Sequence, residues 1–547
     1  MKTQKHVRHR QVCRDLTNKV IRSLASHAPT EIGLAFEAAL ESDFSKYEEL
    51  NIRHYFDESV DTFSLAYQLI KLVSSYPFYD AVDKKTATIE KYLKNYRDME
   101  ELNKTLIQGL RLPFEDEIAA LAAAILGRCP EPDEITSYRH GPGATLGVTS
   151  QQAPVYKCSA LDIGTNARTC FSLATNYCSY IPDKLQSIET TRLAMVPKSS
   201  FINRMIEVSQ TWNVWLQLGY GREIESRLRR IGIYLRPKDG FHTPTYHGRL
   251  AKRGSLDGSV TTADFASASD RISLEVVKRL LKKSDPMWLY WLTQLRSTHF
   301  ELEGVRYRHQ IFSGMGNGFT FPLETLLFYC IARVVTHPQE GLVSAFGDDV
   351  ILPSTAFQAF VDISSAWGLK INVEKTYSST DPFRESCGYD YFKGHRVFKN
   401  KCPEYRGGSE VGSILYITGM HNLLYRLGTE EEQCALDPRY AEAMCRARRG
   451  AERLKLQIPL TQYGYIGWHA ADEYRETVYK DWIAYTPALI PSKRKQWYVD
   501  KRTGSTVANG RTLSSTSLMQ HALNGGSSEG SGRAGRLELR AGLNVLR

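Results

Sequence analysis

The residues best suited to chemistry are aspartates. Gly347-Asp348-Asp349 lies between two short apolar runs, 342–346 and 350–352, and predicts a tight hairpin with two adjacent carboxylates at its turn. Asp is disfavoured in strands while a hairpin turn tolerates Gly-Asp, so alone the triplet is either a loop or a site. A second carboxylate changes the odds. In Thr261-Thr262-Ala263-Asp264-Phe265-Ala266-Ser267-Ala268-Ser269-Asp270, Asp264 closes a short strand and Asp270 opens the following helix. If that strand lies beside the hairpin in one antiparallel sheet, Asp264 and Asp348 face each other across it. Carboxylates sharing a site repel unless cations lie between them, and hard divalent ions with oxygen ligands, Mg2+ first, suit them. Two ions about 3.5–4 Å apart activate an attacking hydroxyl and stabilise a leaving pyrophosphate. That chemistry is phosphoryl transfer.

Two neighbours admit two readings each. Asp270 is placed to N-cap a helix beginning near Ile272, or to accept a hydrogen bond from a ribose 2′-OH, the group that distinguishes RNA from DNA; both roles can hold. Ser313-Gly314-Met315-Gly316-Asn317-Gly318 precedes a helix opening at Pro322. Its glycines permit close backbone approach, either to a nascent base pair while Asn317 reads the sugar, or merely to connect a strand to a helix.

The elements that must position these groups follow from periodicity. The first 130 residues read as helical, with apolar residues at helix spacing in 62–73 and 115–126. His140-Gly141-Pro142-Gly143-Ala144 breaks that pattern as a loop, either approaching a phosphate backbone or serving as a connection. Residues 256–265 turn β-like, and from Ile272 an amphipathic helix carries Ile272, Val276, Val277, Leu280 and Leu281 on one face. The Pro322 helix runs through Ile331 to a stop at His337-Pro338, and a helix over 356–367 ends at Gly368, a C-cap glycine. From about Thr503, Ser, Gly and Asn with isolated arginines predict a largely disordered basic tail.

A chain of 547 residues suggests roughly three or four domains. No apolar run approaches the ~20 residues that span a bilayer, and the basic N-terminus lacks the apolar segment of a secretory signal. Ten cysteines with no C-x-x-C pair read as reduced thiols. A soluble intracellular protein is expected. The net charge of +10 is uneven: residues 192–253 hold twelve Lys/Arg against four Asp/Glu, and residues 491–547 ten against three. Such regions suit a polyanion, nucleic acid first, or are simply solvated surface.

The order of a basic segment, 264–270, 313–317 and Gly347-Asp348-Asp349 resembles the palm of a template-dependent RNA polymerase. The longer strings are more specific: Asp257-Gly258-Ser259 before the Asp264 segment, Met315-Gly316-Asn317-Gly318-Phe319-Thr320-Phe321, and Phe383-Arg384-Glu385-Ser386-Cys387-Gly388. Together they resemble the replicase β subunit of the leviviruses, the small positive-strand RNA bacteriophages, most closely over residues 192–400. The resemblance implies an α+β right-hand polymerase (fingers, palm, thumb) with an antiparallel palm sheet packed on helices. It implies an N-terminal region and fingers over 1–254, palm over 255–380, palm end and thumb over 381–502, and the tail over 503–547.

Carried over by position, Asp264, Asp348 and Asp349 are the metal-site aspartates for two Mg2+ ions, with Mn2+ as a substitute. Asp270 and Asn317 fall at the ribose, with Ser313 and Gly314 in the same nucleotide-binding loop. Lys198 and Arg204 fall in the segment that holds the triphosphate. Lys375 matches a lysine proposed to protonate pyrophosphate, and would otherwise be a solvated surface lysine. Two positions depart: Phe201 stands where a further basic residue is usual, so one phosphate contact is missing or supplied from elsewhere, and Phe346 replaces the commoner Tyr before Gly-Asp-Asp. The implied partners are RNA template and product, NTPs, host elongation factors Tu and Ts and an RNA-binding small-subunit ribosomal protein, in the cytoplasm of an infected bacterial host, with no membrane. The rival expectations are a reverse transcriptase-like polymerase, which usually excludes the 2′-OH with a bulky aromatic, and a non-catalytic RNA-binding viral protein, which has no use for clustered aspartates.

Overall fold

Helices dominate the first 130 residues, as their periodicity predicts: Lys2–Ala25, Thr30–Leu40, Val60–Ser74, Lys84–Ile107 and Glu115–Leu126. Side chains fix where two of them start. Ser59 accepts from the Thr62 amide, and Asp83 from the amides of Lys85 and Thr86, satisfying donors that a helix start leaves open. The computed structural model describes residues 2–455 apart from 80–82, 149–153, 176–183, 338–340, 406, 408–409 and 429–436, and beyond 455 only short strand segments. The predicted disordered tail therefore lies mostly outside the described residues.

Among the described residues two large cores, beside two small clusters, hold the chain, and neither large core follows chain order. One gathers helices Thr211–Arg230, Leu274–Leu281 and Thr320–Val335 under the strand residues Ala263, Ala345, Val350 and Leu352. The other joins the first helices to residues from Tyr377 onward, including helices Glu410–Gly428 and Pro438–Arg453. There Gly450 lets Leu16 approach so closely that a Cβ would lie 2.1 Å from its Cδ1. Thr17 and Tyr416 share a buried hydrogen bond of 2.7 Å. Among the described residues no helix is long and apolar enough to cross a membrane.

The fold is mixed helix and sheet. Three antiparallel strands in the order Val260–Asp264, Asp349–Pro353, Ser344–Phe346 form the sheet that carries the aspartates. A second sheet runs Asn203–Val208, Thr190–Pro197, His299–Leu302, Val305–Arg308. It turns the start of the basic segment, residues 190–208, into a hairpin, which periodicity did not reveal.

Several boundaries shift from their sequence positions, each for a local reason. Leu256 and Asp257 end the helix Thr243–Asp257 rather than start a strand, because Gly258 at φ +66° closes that helix in the left-handed region. The helix expected from Ile272 begins at Leu274, where the Ser273 hydroxyl accepts from the Val276 amide. Its predicted apolar face, Val276, Val277, Leu280 and Leu281, is buried. The Pro322 helix starts at Thr320, which leaves proline in a first turn where its missing N–H costs nothing. The 140–144 loop is a connection: the buried Lys157 ammonium donates to the Gly141 and Gly143 carbonyls.

Gly258 has no room for change, since an added Cβ would meet the Ser379 carbonyl oxygen at 2.4 Å. Left-handed backbone costs a non-glycine residue about 1–2 kcal/mol before any clash. Gly258→Ala is expected to destabilise by at least that much and to lower the thermal midpoint; an unchanged midpoint would reject this account.

Candidate active site

Register decides where the carboxylates meet. Asp264 ends its strand opposite Asp349, and Phe346 pairs with the same Asp349 from the other side, so Gly347-Asp348 forms the two-residue turn. The residue across the sheet from Asp264 is thus Asp349, not Asp348 as expected; Asp348 sits at the tip, close enough to raise the proton affinity of both neighbours. The turn is anchored on the helix below. Gly347, at φ +59°, donates its N–H to Thr325 Oγ1 at 2.9 Å, and a Cβ there would strike the Phe321 ring at 2.3 Å. Phe346 packs edge-on against Phe321, so the missing tyrosine hydroxyl leaves a packing role.

Burial is the first cause that raises Asp264, opposed by Lys375 and reinforced by Asp348. Lys375 Nζ lies 3.2 Å from Asp264 Oδ2, and Asn372 Nδ2 donates to the same oxygen at 3.0 Å. Lys375 is therefore no free surface lysine: burial works against its charge, but Asp264, Glu385 and Asp349 hold its proton above the usual lysine range. Asp349 is pushed up to about 7 by burial, then by Asp348 and Asp264. Beneath it, buried His247 bridges Ser386 at 2.9 Å and Ser344 at 2.8 Å, while Ser386 Oγ lies 3.4 Å from Asp349 Oδ1. Burial keeps this imidazole neutral, down at about 3, so it spends one nitrogen as donor and one as acceptor.

Among the described residues no three or more His, Cys, Asp or Glu side chains converge tightly enough to hold a metal ion unaided. Mg2+ does not ask for that: it is usually held by one or two carboxylates, with water and substrate phosphates completing the shell. The donors at the hairpin are all hard oxygens. They also raise one another's proton affinity, the mark of a site short of positive charge. Asp264, Asp348 and Asp349 fit a divalent cation.

Asp270 is not the helix cap; Ser273 takes that position. It sits in a 3-10 turn, Ala268–Arg271, where burial lifts its carboxyl to about 6 against the pull of Lys91, Lys198, Arg204 and Arg271. Next to it, Ser269 Oγ donates to buried Glu324 Oε2 at 2.9 Å. Burial, Asp348 and Asp270 push Glu324 up to about 8.

The 313–318 loop is held by Glu207 on the strand Asn203–Val208. Glu207 Oε2 accepts from the Gly314 amide at 3.1 Å, and the Glu207 amide donates to the Met315 carbonyl at 2.7 Å. Asn317 Oδ1 accepts from the Phe319 amide at 3.1 Å, which turns the chain into the helix below and commits that oxygen to structure. Ser313 Oγ is buried with no partner among the described residues.

Lys198 and Arg204 flank the tip of the hairpin formed by Thr190–Pro197 and Asn203–Val208, and both are exposed. Drying by the surrounding chain, then repulsion from Lys91, Arg204 and Lys375, lowers the proton affinity of Lys198. Lys401 donates to the Lys198 carbonyl at 2.7 Å and is likewise repelled by Arg204 and Lys375. Phe201 at the tip stacks on Tyr47 at 4.9 Å and Tyr79 at 5.7 Å and meets Phe44 edge-on, pinning the hairpin to the N-terminal helices.

The structure brings the predicted aspartates and Lys375 together and sets Lys198 and Arg204 on one hairpin. Sequence reasoning missed Lys91, Glu207, Glu324, Asn372 and Lys401. One had a legible signal: Glu324 is a lone acid inside the apolar run Pro322-Leu323-Glu324-Thr325-Leu326-Leu327.

The RNA replicase, beta-chain family model matches residues 30–402. The chain is 30% identical over 472 residues to the RNA-directed RNA polymerase subunit beta of Escherichia virus Qbeta, covering 82% of this chain and 77% of that one. It is 39% identical over 310 residues to the corresponding subunit of Qbeta virus (strain MX1), covering 55% and 49%. To the beta chain of Escherichia phage MS2 it is 37% identical over 202 residues, covering 36% and 35%. The crystal structure of the RNA-dependent RNA polymerase of a human picorbirnavirus aligns with a TM-score of 0.40 and 15% identity, covering 68% of this chain and 77% of that one. The family match and the likeness to the Qbeta subunit define a phage RNA replicase. The chain belongs to the RNA replicase beta-chain family, as the levivirus resemblance implied.

The buried Glu207 carboxyl yields a test. Burial would raise it, but His309, Thr191 and Arg296 outweigh burial and hold it at about 2, against its usual 4.5. A depressed carboxyl stabilises the fold fully above pH 4.5 and loses that contribution as the pH falls toward 2. Glu207→Gln should cost about 3–5 kcal/mol at neutral pH, with the gap to wild type narrowing from about pH 5 to about pH 3 in denaturant unfolding. A penalty independent of pH would disprove the role.

Proposed function

We propose that the chain is an RNA-directed RNA polymerase that replicates a phage RNA genome, joining NTPs to an RNA 3′-hydroxyl with release of pyrophosphate. The observation that carries this reading is the register that sets Asp264 opposite Asp349 with Asp348 at the turn between. Two Mg2+ ions held by Asp264, Asp348 and Asp349, or Mn2+ in their place, would supply the Lewis acidity that activates the hydroxyl and stabilises the leaving group.

The protein's own groups do the rest. Lys375 Nζ, kept protonated at 3.2 Å from Asp264, is the proton donor to pyrophosphate. Lys198 and Arg204 bind the triphosphate through charge-assisted contacts. Asp270 and the Asn317 amide nitrogen hydrogen-bond the ribose hydroxyls, with Ser313 and Gly314 in the loop that presses on the nascent pair. In this reading the carboxylate sheet is the palm, the basic hairpin and N-terminal helices belong to the fingers, and the helices after 410 to the thumb. The basic residues give salt-dependent affinity for template and product RNA. Host elongation factors Tu and Ts and a small-subunit ribosomal protein complete the assembly that the family's subunit name implies, in the host cytoplasm.

Asp348→Asn is expected to cut nucleotide incorporation by more than the roughly 10–100-fold that loss of an outer-shell metal partner costs, while RNA affinity stays near wild type. Full activity would defeat the catalytic assignment. On one RNA template ATP should be used in strong preference to dATP; the reverse preference would favour a reverse transcriptase.

A further inference from the structure

One face of the helix Lys84–Ile107 lies along the candidate site, and its polar side chains are spoken for. Lys84 Nζ donates to the Ser199 carbonyl at 3.3 Å, and Thr88 Oγ1 accepts from the Asn203 amide at 3.0 Å. Further along, Asn95 and Asp98 accept from Arg271 at 3.1 and 2.8 Å, and Asn103 donates to the Gln310 carbonyl at 2.7 Å. Positions 84, 88, 95 and 98 follow the three- and four-residue spacing of a single helix face. Lys91 occupies the same face, one turn from Thr88 and one turn from Asn95. It is exposed, and no hydrogen bond or ion pair ties its ammonium to a described residue. The brackets fix where it sits: Asn203 precedes Arg204, and Arg271 follows Asp270.

We infer that Lys91 is a third phosphate-binding cation of the nucleotide site, reaching from the N-terminal helix into the recess between Lys198, Arg204 and Asp270 to hold the triphosphate of the incoming NTP. This rests on the polymerase reading above and deepens it. The electrostatics agree: Lys91 leads the cations that stabilise the Asp270 carboxylate, and it leads those that repel Lys198. Three cations therefore share one recess with a single carboxylate, and Phe201 adds nothing, since its ring is locked among Phe44, Tyr47 and Tyr79. A triphosphate brings the negative charge that this set lacks. An RNA backbone phosphate has the same chemistry, but proximity to Asp270, the proposed ribose contact, favours the nucleotide.

The test uses the full chain, assembled with elongation factors Tu and Ts and the small-subunit ribosomal protein, on a homopolymeric RNA template with Mg2+, varying the complementary NTP. Lys91→Ala should raise KM for the NTP about ten-fold while kcat changes by less than about two-fold. Lys91→Arg should restore most of the affinity, and Lys104→Ala, an exposed lysine paired with Glu100 on the opposite face of the same helix, should leave KM alone. An unchanged KM in Lys91→Ala overturns the inference. So does an unchanged KM accompanied by weaker RNA binding with a shallower salt dependence, which would assign Lys91 to the RNA backbone. Absence of incorporation by the wild-type chain assembled with those host factors would instead bring down the polymerase reading itself.

Discussion

Carboxylates that repel one another inside a protein must be held by something stiffer than their repulsion. Here the holder is a three-stranded sheet whose register leaves Asp264 and Asp349 side by side and turns Asp348 over the tip. Each further layer serves that arrangement. Thr325 grips the turn, His247 ties the sheet to two neighbouring segments, and Lys375 with Asn372 steadies one Asp264 oxygen. The single ammonium does not neutralise the cluster, since Asp349 still holds its proton up to about 7. A scaffold this committed to a charge imbalance fits the cations of the proposed reaction.

Across the recess the imbalance has the opposite sign. Lys91, Lys198 and Arg204 crowd one another around Asp270, and Lys401 is repelled by Arg204 from beside Lys198. The two halves come from distant parts of the chain, and the Glu207 side chain joins them: it holds the 313–318 loop against the strand that carries Arg204. A phosphoryl-transfer site needs this division, with metal-seeking oxygens on one side and anion-seeking nitrogens on the other, because its substrate is an anion that arrives with cations.

The acidic hairpin was legible because two aspartates between apolar strands serve folding poorly and a site well. Its register was one residue off, since pairing of Phe346 with Asp349 depends on the loop length and not on the residue types. Asp270 looked like a cap because it stands before a helix; Ser273, nearer the first turn, was the stronger candidate by its own chemistry. Lys91 was beyond reach, because a lysine on a polar helix acquires meaning only from strands more than a hundred residues later. Phe201 read as a missing charge, whereas its ring is a clamp for the hairpin.

The second core brings together the beginning and the end of the described chain: Leu16 and Val20 meet residues such as Tyr416, Met420 and Ala447. Such contacts close loops of some four hundred residues, and contacts of large sequence separation make folding slow. During translation the first helices leave the ribosome with their apolar faces bare and wait for partners synthesised some four hundred residues later. The basic hairpin, whose tip leans on those helices, gains its final seat only once the helices after 410 have emerged. Synthesis itself thus delays assembly of this part of the enzyme until those helices are made.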